Sequence, residues 1–543
     1  MPVHARGLRQ KEVFPMSQKA RRLWREARHW LGRMPRLRTP RLPEAPLITL
    51  RDPWPGDAAL ASRLLRGEGG AVWQAEAPSA PLTPQSLRDP QLPAESRAEL
   101  LAFGWIRHLR ALGNDAARLT VRALTASLFD LSLRDPVASR PDVAGRRLAA
   151  WLGHWDFFAA SADEAFRYRL MERMVEEARW LSHDIPGGGV ESAGFAPYKG
   201  ILAAAVALPE VNGLLAVALR HLPGEILRQV ASDGTHLARS PYAQLRALQD
   251  LIEIRALLQA AQIVPPAALT PAIERMSAAL RTMRMGDGGL AAFNGTLSVA
   301  PELIELVLAQ AGRNGRAPAA LPEGRFYRLS SRRSCVVVDA GPLAPGFGER
   351  FGHAGALSFE FSVGRSRVVV NCGAAPPTRR SWFEALRTPA AHSTLSLLTP
   401  EEEGGALPFA RTVTVDHQEQ DGAHWLEAVH DGWEPRFGLR HRRRLYLAED
   451  GEDLRGEDLL EGGEAVPFLL RFHLHPDVAV DLEESGQARL AVPDGGEWVF
   501  RTDAPLSVEE SVYLGRGEPE ATLQLVLRPE AGGALVRWAF GRR

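Results

Sequence analysis

Three polar residues stand at the ends of predicted β-strands within residues 347–395. His353 precedes one strand, Asn371 ends the next, and His392 opens a third at HSTLSLL. Strand ends of one sheet gather on a common rim, so the three can converge. Two neutral imidazoles and a third ligand are a common donor set for zinc or another divalent ion. Without a metal, the same residues would hydrogen-bond strand ends and shape the floor of a cleft. Arg379, Arg380, Trp382 and Arg387 follow in the same stretch. Guanidinium pairs with carboxylate and indole stacks on a sugar face, which suits a uronate polymer; a solvated loop has the same composition. Residues 284–294, RMGDGGLAAFNG with its closing glycine, place Asp287 and Asn294 in a Gly-rich loop. Such a loop lines a cleft or simply caps the helix before it. His473 and His475 alternate with Leu474, so both point to one side of a strand, as a polar face or a metal-binding pair.

The elements that position these residues fall into two blocks. Ser96–Leu112, Asp115–Leu133, Val143–Trp151, Ala162–Asp184, Tyr198–Leu208, Val211–Ala231, Ser240–Ala261, Pro266–Met285 and Ala300–Gly312 read as helices, with apolar residues three and four apart. Asp115 and Ser240 are placed as N-caps, and Pro241 falls in a first turn. From residue 324 the pattern turns to short strands punctuated by Asp-Gly turns. In one of them Leu357, Phe359 and Phe361 alternate with Ser358, Glu360 and Ser362, the signature of a half-buried strand. Helices first and strands second make an α+β chain of segregated domains. The expected divisions are a basic arm over 1–45, a helical domain over 46–312 with a Pro-rich lead-in at 46–95, a linker at 313–323, and an antiparallel β-sandwich over 324–543. Trp54 and Trp73 are the anchors expected of the lead-in. Periodicity alone leaves a bundle and a ring of helix hairpins equally open.

The run GHAGALSFEFSVGRSRVVVNCG, followed by a Trp and ALRTPAAHSTL, resembles the C-terminal domain of the heparinase II/III-like polysaccharide lyases. The resemblance implies an incomplete α/α toroid followed by a β-sandwich, with an active cleft between them. It implies a structural zinc at His353, Asn371 and His392, although relatives usually carry Asp where this chain has Asn371. It also bears on residues 232–244, SDGTHLARSPYAQ. Relatives carry a D-G-x-x-x-E-R/Q-S-P-x-Y-H run whose Tyr is the catalytic base. Asp233, Gly234, Arg239, Ser240 and Pro241 match; Ala238 replaces the Glu, and Tyr242 stands one place early. One helical residue is a turn of about 100°. Relatives also place an Asn or His before the next helix to hold the substrate carboxylate, and residues 187–198, GGGVESAGFAPY, contain neither.

The implied reaction is β-elimination on a uronic-acid polysaccharide. It needs a neutralised carboxylate, a base for the C5 proton and an acid for the leaving oxygen. Tyr242 is cast as base and, in a second role, acid; His353 or His236 as proton donor; Arg239 or Arg387 as carboxylate partner; Arg379, Arg380, Trp382, Arg387 and Asn294 as substrate contacts. A second reading is a non-catalytic acidic-glycan-binding or envelope-assembly protein on the same scaffold. A third is a hydrolase, which needs two carboxylates roughly 5–10 Å apart. Its candidates are Asp156, Glu191, Asp233, Asp287 and Glu360.

Composition removes other classes. There are 65 basic and 65 acidic residues, which argues against a globally basic nucleic-acid binder. Cys335 and Cys372 are the only cysteines and have no metal-ribbon spacing, so two buried strand thiols are the first expectation and a single bridge between them the alternative. No apolar run is long enough to span a membrane. No GxSxG, HExxH or Walker A run occurs. Residues 17–34 set Leu23, Trp24, Trp30 and Leu31 among arginines. They read either as an amphipathic helix making peripheral contact with an anionic membrane, or as a frayed arm, the commoner fate of a terminus. The resemblance points to the periplasm or cell envelope. The absence of a recognisable export signal keeps the cytoplasm as the alternative.

Overall fold

A computed structural model describes residues 42–71, 78–185, 194–209, 213–312, 315–342, 351–399, 410–464, 466–530 and 534–543. Most of the basic arm, Trp73, Glu191 and the greater part of 187–198 lie outside these residues.

The helical block and the β block form separate cores. Helix ends differ from the sequence reading where local chemistry decides them. The expected Ser96–Leu112 helix is two, Ala94–Ala102 and Ile106–Leu112, because Phe103 adopts a left-handed backbone at the break. The N-cap of Asp115–Phe129 is Asn114, whose side chain accepts from the Ala117 amide, rather than Asp115. Ser240 caps Pro241–Ala260 as expected, with Pro241 in the first turn. The Pro-rich lead-in contains the helices Ala58–Leu65 and Pro84–Arg88. Its Asp52 and Trp54 enter the ring of helices, where Trp54 Nε1 donates to Glu253 at 2.7 Å and Asp52 meets Arg107 at 2.9 Å. Helices Pro141–Gly153 and Ala196–Ala207 cross almost backbone to backbone. A Cβ on Gly200 would lie 2.5 Å from the Gly145 Cα, so this crossing needs glycine on both helices.

The β block contains β1 (Ala320–Leu321), β2 (Phe326–Ser331), β3 (Ser334–Asp339), β4 (Phe359–Val363), β5 (Ser366–Val370), β6 (Leu395–Leu397), β7 (Val413–Gln420), β8 (Ala423–Trp433), β9 (Leu439–Leu447), β10 (Asp453–Gly462), β11 (Phe468–Leu474), β12 (Ala479–Leu482), β13 (Ala488–Val492), β14 (Gly496–Thr502), β15 (Leu506–Tyr513), β16 (Glu520–Leu527) and β17 (Leu535–Arg542). One sheet runs β1-β2-β3-β4-β5-β11-β16-β15, with β6 also on β11; the other runs β12-β13-β14-β17-β10-β9-β8-β7. The sheets pack face to face, with Phe359 of one stacked 5.5 Å from Trp538 of the other. β4 is not half-buried but buried on both faces. Its alternate residues Glu360 and Ser362, on the face away from the sandwich core, meet the helical domain instead of water: Ser362 Oγ accepts from the Gly286 amide at 3.1 Å. A mixed apolar cluster of Met283, Met285 and Phe293 with Phe326 and Val337 joins the two blocks. Cys335 and Cys372 are both buried and free, as expected.

Candidate functional site

A cleft of about 790 Å³ lies between the domains. Its helical wall carries Tyr242, Arg246 and Gln249, and its sandwich wall carries Arg365, His475 and Arg516. The loop after Thr282 forms the floor through Leu290, Thr296 and Ser298. Behind it, a second hollow of about 130 Å³ is bordered by Asp142, Arg146, His236, Asp250 and Phe351. Tyr242 and Arg246 border both spaces, so they form the partition. The two are four residues apart on one helix and therefore share a face. Tyr242 sits in the first turn, with its amide donating to Thr296 Oγ1 at 3.3 Å. Its position one place early does not remove it from the cleft. Arg246 was missed in the sequence reading, although its spacing from Tyr242 was visible.

The imidazole pair assembles as expected. His353 and His392 are buried, with ring centroids 5.2 Å apart. Asn371 joins them through the chain: its Oδ1 accepts from the Ser393 amide at 2.9 Å. Burial, the His392 ring and Arg387 hold the His353 imidazole well below its ordinary value. Burial lowers His392 to about 4, against a weaker opposing pull from the Leu386 backbone. Both rings are therefore neutral near pH 7. His353 Nδ1 has no hydrogen-bond partner, and neither does Asn371 Nδ2. The third ligand is a neutral amide whose oxygen already accepts a bond, and no group of three His, Cys, Asp or Glu side chains among the described residues is placed to share an ion.

Arg239 lies in the domain interface instead of lining the interdomain cleft. It adopts φ of 49°, pairs with Asp339, donates to the Gly324 carbonyl at 2.8 Å and to the Pro342 carbonyl, and lies over the Phe326 ring. Asn294 is equally committed. Its Nδ2 donates to Asp339 at 2.6 Å and to the Arg239 carbonyl at 3.0 Å, while its Oδ1 accepts from the His353 amide at 3.3 Å. His236 accepts from the Ala238 amide through Nδ1 at 3.2 Å and meets Gln229 through Nε2 at 3.0 Å. That places its proton on Nε2, where it locks a turn; the cast of His236 as proton donor would break this bond. Arg379, Arg380, Trp382 and Arg387 stand around a short helix, Arg380–Ala385, and none borders the interdomain cleft. Arg380 pairs with Glu384, and Arg387 donates to the Gly352 carbonyl at 2.8 Å, bracing the loop that carries His353.

The carboxylates also find partners. Asp287 and Glu360 share Arg367, at 2.8 and 3.2 Å. Burial raises the Glu360 carboxyl; burial also pushes Asp287 up, but the charge and hydrogen bond of Arg367, with the Gly289 amide and His475, together hold it below its ordinary value. Asp156 pairs with Arg110, and Asp233 caps the Thr235, Glu323 and Gly324 amides. His473 donates to or accepts from Ser511 Oγ at 2.7 Å and is buried, while His475 reaches the cleft wall.

Residues 313–539 match the family model for the heparinase II/III-like C-terminal domain. The whole chain is similar to FtsZ-localized protein C of Caulobacter vibrioides, 29% identical over 547 residues and covering 94% of this chain and 93% of that one. In fold it is similar to heparinase III, with a TM-score of 0.67 at 15% identity, covering 96% of this chain and 89% of the other. A mutant of the heparan sulfate lyase HepC from Pedobacter heparinus gives a TM-score of 0.60 at 14% identity over 96% and 88% of the two chains. No helix among the described residues is long and apolar enough to cross a membrane. Residues 313–539 thus carry the heparinase II/III-like C-terminal domain, and the chain as a whole has the fold of heparinase III, helical domain first and sandwich second.

Proposed function

We propose that the protein takes an acidic, uronate-containing polysaccharide into the interdomain cleft and cleaves it by β-elimination, with Tyr242 as the base. The observation that carries this reading is the shared position of Tyr242 and Arg246 on the partition between the cleft and the hollow behind it. A phenol takes a proton only as phenolate. Tyr242 stands at the N-terminus of a 20-residue helix, where the helix dipole favours negative charge. Arg246 supplies a cation one turn on, in reach of the same bound sugar. It is the best-placed partner for the C6 carboxylate, whose neutralisation makes the C5 proton acidic. Tyr242 removes that proton, the electron pair forms the C4–C5 double bond, the C4–oxygen bond breaks, and the leaving oxygen takes a proton. His353 and His392 support the rim from which the sandwich wall rises. A periplasmic or envelope location, where acidic glycans occur, accompanies this reading, as does contact of the basic arm with an anionic membrane.

A second reading is favoured by one comparison. The relative similar over 94% of the chain is named for its localisation with FtsZ, and that supports a non-catalytic acidic-glycan-binding protein of envelope assembly. The commitment of Arg239, Asn294 and His236 to structure agrees with it.

Ultraviolet absorbance of the unsaturated uronate product separates the two. The full chain is incubated with heparan, hyaluronan, alginate and bacterial uronate polymers. A rise that vanishes in Tyr242→Phe and needs more substrate in Arg246→Gln establishes the lyase. A flat trace with saturable binding that Arg246→Gln weakens moves the conclusion to the second reading.

A further inference from the structure

A larger hollow, about 850 Å³, lies elsewhere, on the outer face of the second sheet. The register of the strands arranges its lining into two rows. One row crosses Gln418, Trp425, Tyr446, Arg455, Ala539 and Arg501 on six successive strands. The next crosses Asp416, Glu427, Arg444, Glu457 and Arg537. Six strands at the usual spacing of about 4.8 Å span roughly 24 Å. In the first row the small side chain of Ala539 leaves a depression between Arg455 and Arg501. Trp425 and Tyr446 pack with ring centroids 5.1 Å apart, yet Trp425 remains 42% exposed. A cross-strand aromatic pair stabilises a sheet by itself; here it also sets an accessible indole beside two rows of ordered polar groups.

The charges say what the trough suits. Its four guanidiniums, of Arg444, Arg455, Arg501 and Arg537, are matched by four carboxylates, of Asp416, Glu427, Glu457 and Asp503. The second row is a lattice of self-satisfied pairs: Arg444 bonds Glu427 and Glu457, and Arg537 bonds Glu457 at 3.1 Å. A polyanion would meet carboxylates as often as cations. An uncharged chain of hydroxyls meets donors and acceptors whose charges are already paired.

We propose that this trough binds an uncharged β-linked oligosaccharide lying across the strands, a pyranose face stacked on Trp425, whose ring is held by Tyr446, itself braced on its other side by Arg455 6.0 Å from its centroid. Equatorial linkage gives each sugar a flat C–H face, which matches an exposed ring, and ordered polar groups on either side fix its register. The trough is separate from the cleft, so this site stands whether or not the lyase reading does.

Calorimetric titration of the full chain with chito- and cello-oligosaccharides tests it. The expected result is saturable binding to at least one, weakened about ten-fold or more in Trp425→Ala and Tyr446→Ala. Trp425→Phe retains a ring and most of the affinity. Lack of heat at about millimolar ligand would overturn the proposal. So would binding that survives Trp425→Ala, or a trough that takes heparan in preference to the uncharged chains. Self-association of the wild type that Trp425→Ala abolishes would assign the face to a second copy of the chain instead.

Discussion

Arg239 offers the sharpest test of how the cleft is built, because sequence and structure give it different work. Substitution by Met keeps the volume and removes the charge and its donors. The guanidinium is about nine-tenths buried and pairs with Asp339, itself 4% exposed. Removing one member of a buried ion pair typically costs about 3–5 kcal/mol, because the other charge stays buried. The Gly324 and Pro342 carbonyls also lose their donor, and the cation over Phe326 disappears, but these losses overlap with the first and are not added to it. Asp339 retains Asn294 and the Gly341 amide, which holds the cost within that range. The acceptors lie at the start of the β block and the donor in the helical block, so the loss falls on the coupling between domains. Urea unfolding followed by tryptophan fluorescence and by far-ultraviolet dichroism should show an earlier midpoint and separation of the two signals. Arg239→Met combined with Asp339→Leu should cost less than the sum of the single changes. If Arg239→Met unfolds like the wild type and instead loses glycan binding, the residue belongs to the substrate and the reasoning fails.

The other predictions concern the histidines and the sandwich core. Burial depresses His392 to about 4 and His473 to about 3, below the ordinary value near 6.5. The unfolded chain therefore binds protons that the folded one refuses, and stability is full above about pH 6.5 and falls as pH drops towards 4, by up to roughly 1.4 kcal/mol per unit for each ring. Unfolding midpoints that stay level from pH 6.5 to 4.5 would contradict this. Asn371 Nδ2 lacks a partner, so Asn371→Asp breaks no hydrogen bond and adds the missing charged ligand beside His353 and His392. Metal analysis after dialysis should find about one zinc per chain in that variant and far less in the wild type. Equal zinc in both would show that the amide suffices. Asp458 is fully buried between Arg443, His441 and the Trp538 indole, and Arg443 reaches the Leu357 and Ser393 carbonyls beside the histidine rim. Asp458→Asn should cost about 3–5 kcal/mol on urea unfolding; a change below about 1 kcal/mol would mean the network is not a keystone.

Much of the architecture was legible because periodicity is local. Helix-spaced apolar residues up to Ala311 and alternating ones beyond Phe326 separate the two blocks without any knowledge of how they meet. The histidine rim was legible too, because strand ends gather on an edge. What the sequence could not carry was the second face of β4. Alternation reads Glu360 and Ser362 as outward, and outward becomes buried only when another domain covers it. The same blindness explains Arg239 and Asn294. Both are polar and conspicuous, yet their partners lie in the other domain, Asp339 45 positions from Asn294 and Pro342 103 positions from Arg239. Arg246 failed in the opposite direction. It sits in an ordinary amphipathic helix, and only the cleft distinguishes it from the other arginines.

The placement of these side chains bears on the choice between an enzyme and a binding protein. In a lyase, the groups that touch the reacting sugar must be free to exchange partners as charge develops. Arg239, Asn294 and His236 are locked into bonds that hold the domains together or shape a turn, so any chemistry is left to a small set on the partition. On the proposed lyase reading, Tyr242 and Arg246 supply two of the three functions that β-elimination requires, the base and the carboxylate partner. The third, protonation of the leaving oxygen, falls to Tyr242 once it has taken the C5 proton or to solvent. A scaffold in which one residue serves twice has little redundancy. Tyr242→Phe therefore has a stark expected outcome: product formation disappears completely while binding of the polymer, which rests on the arginines of both walls, remains within a few-fold of the wild type. Partial loss of both together would show that Tyr242 shapes the cleft and does not work in it.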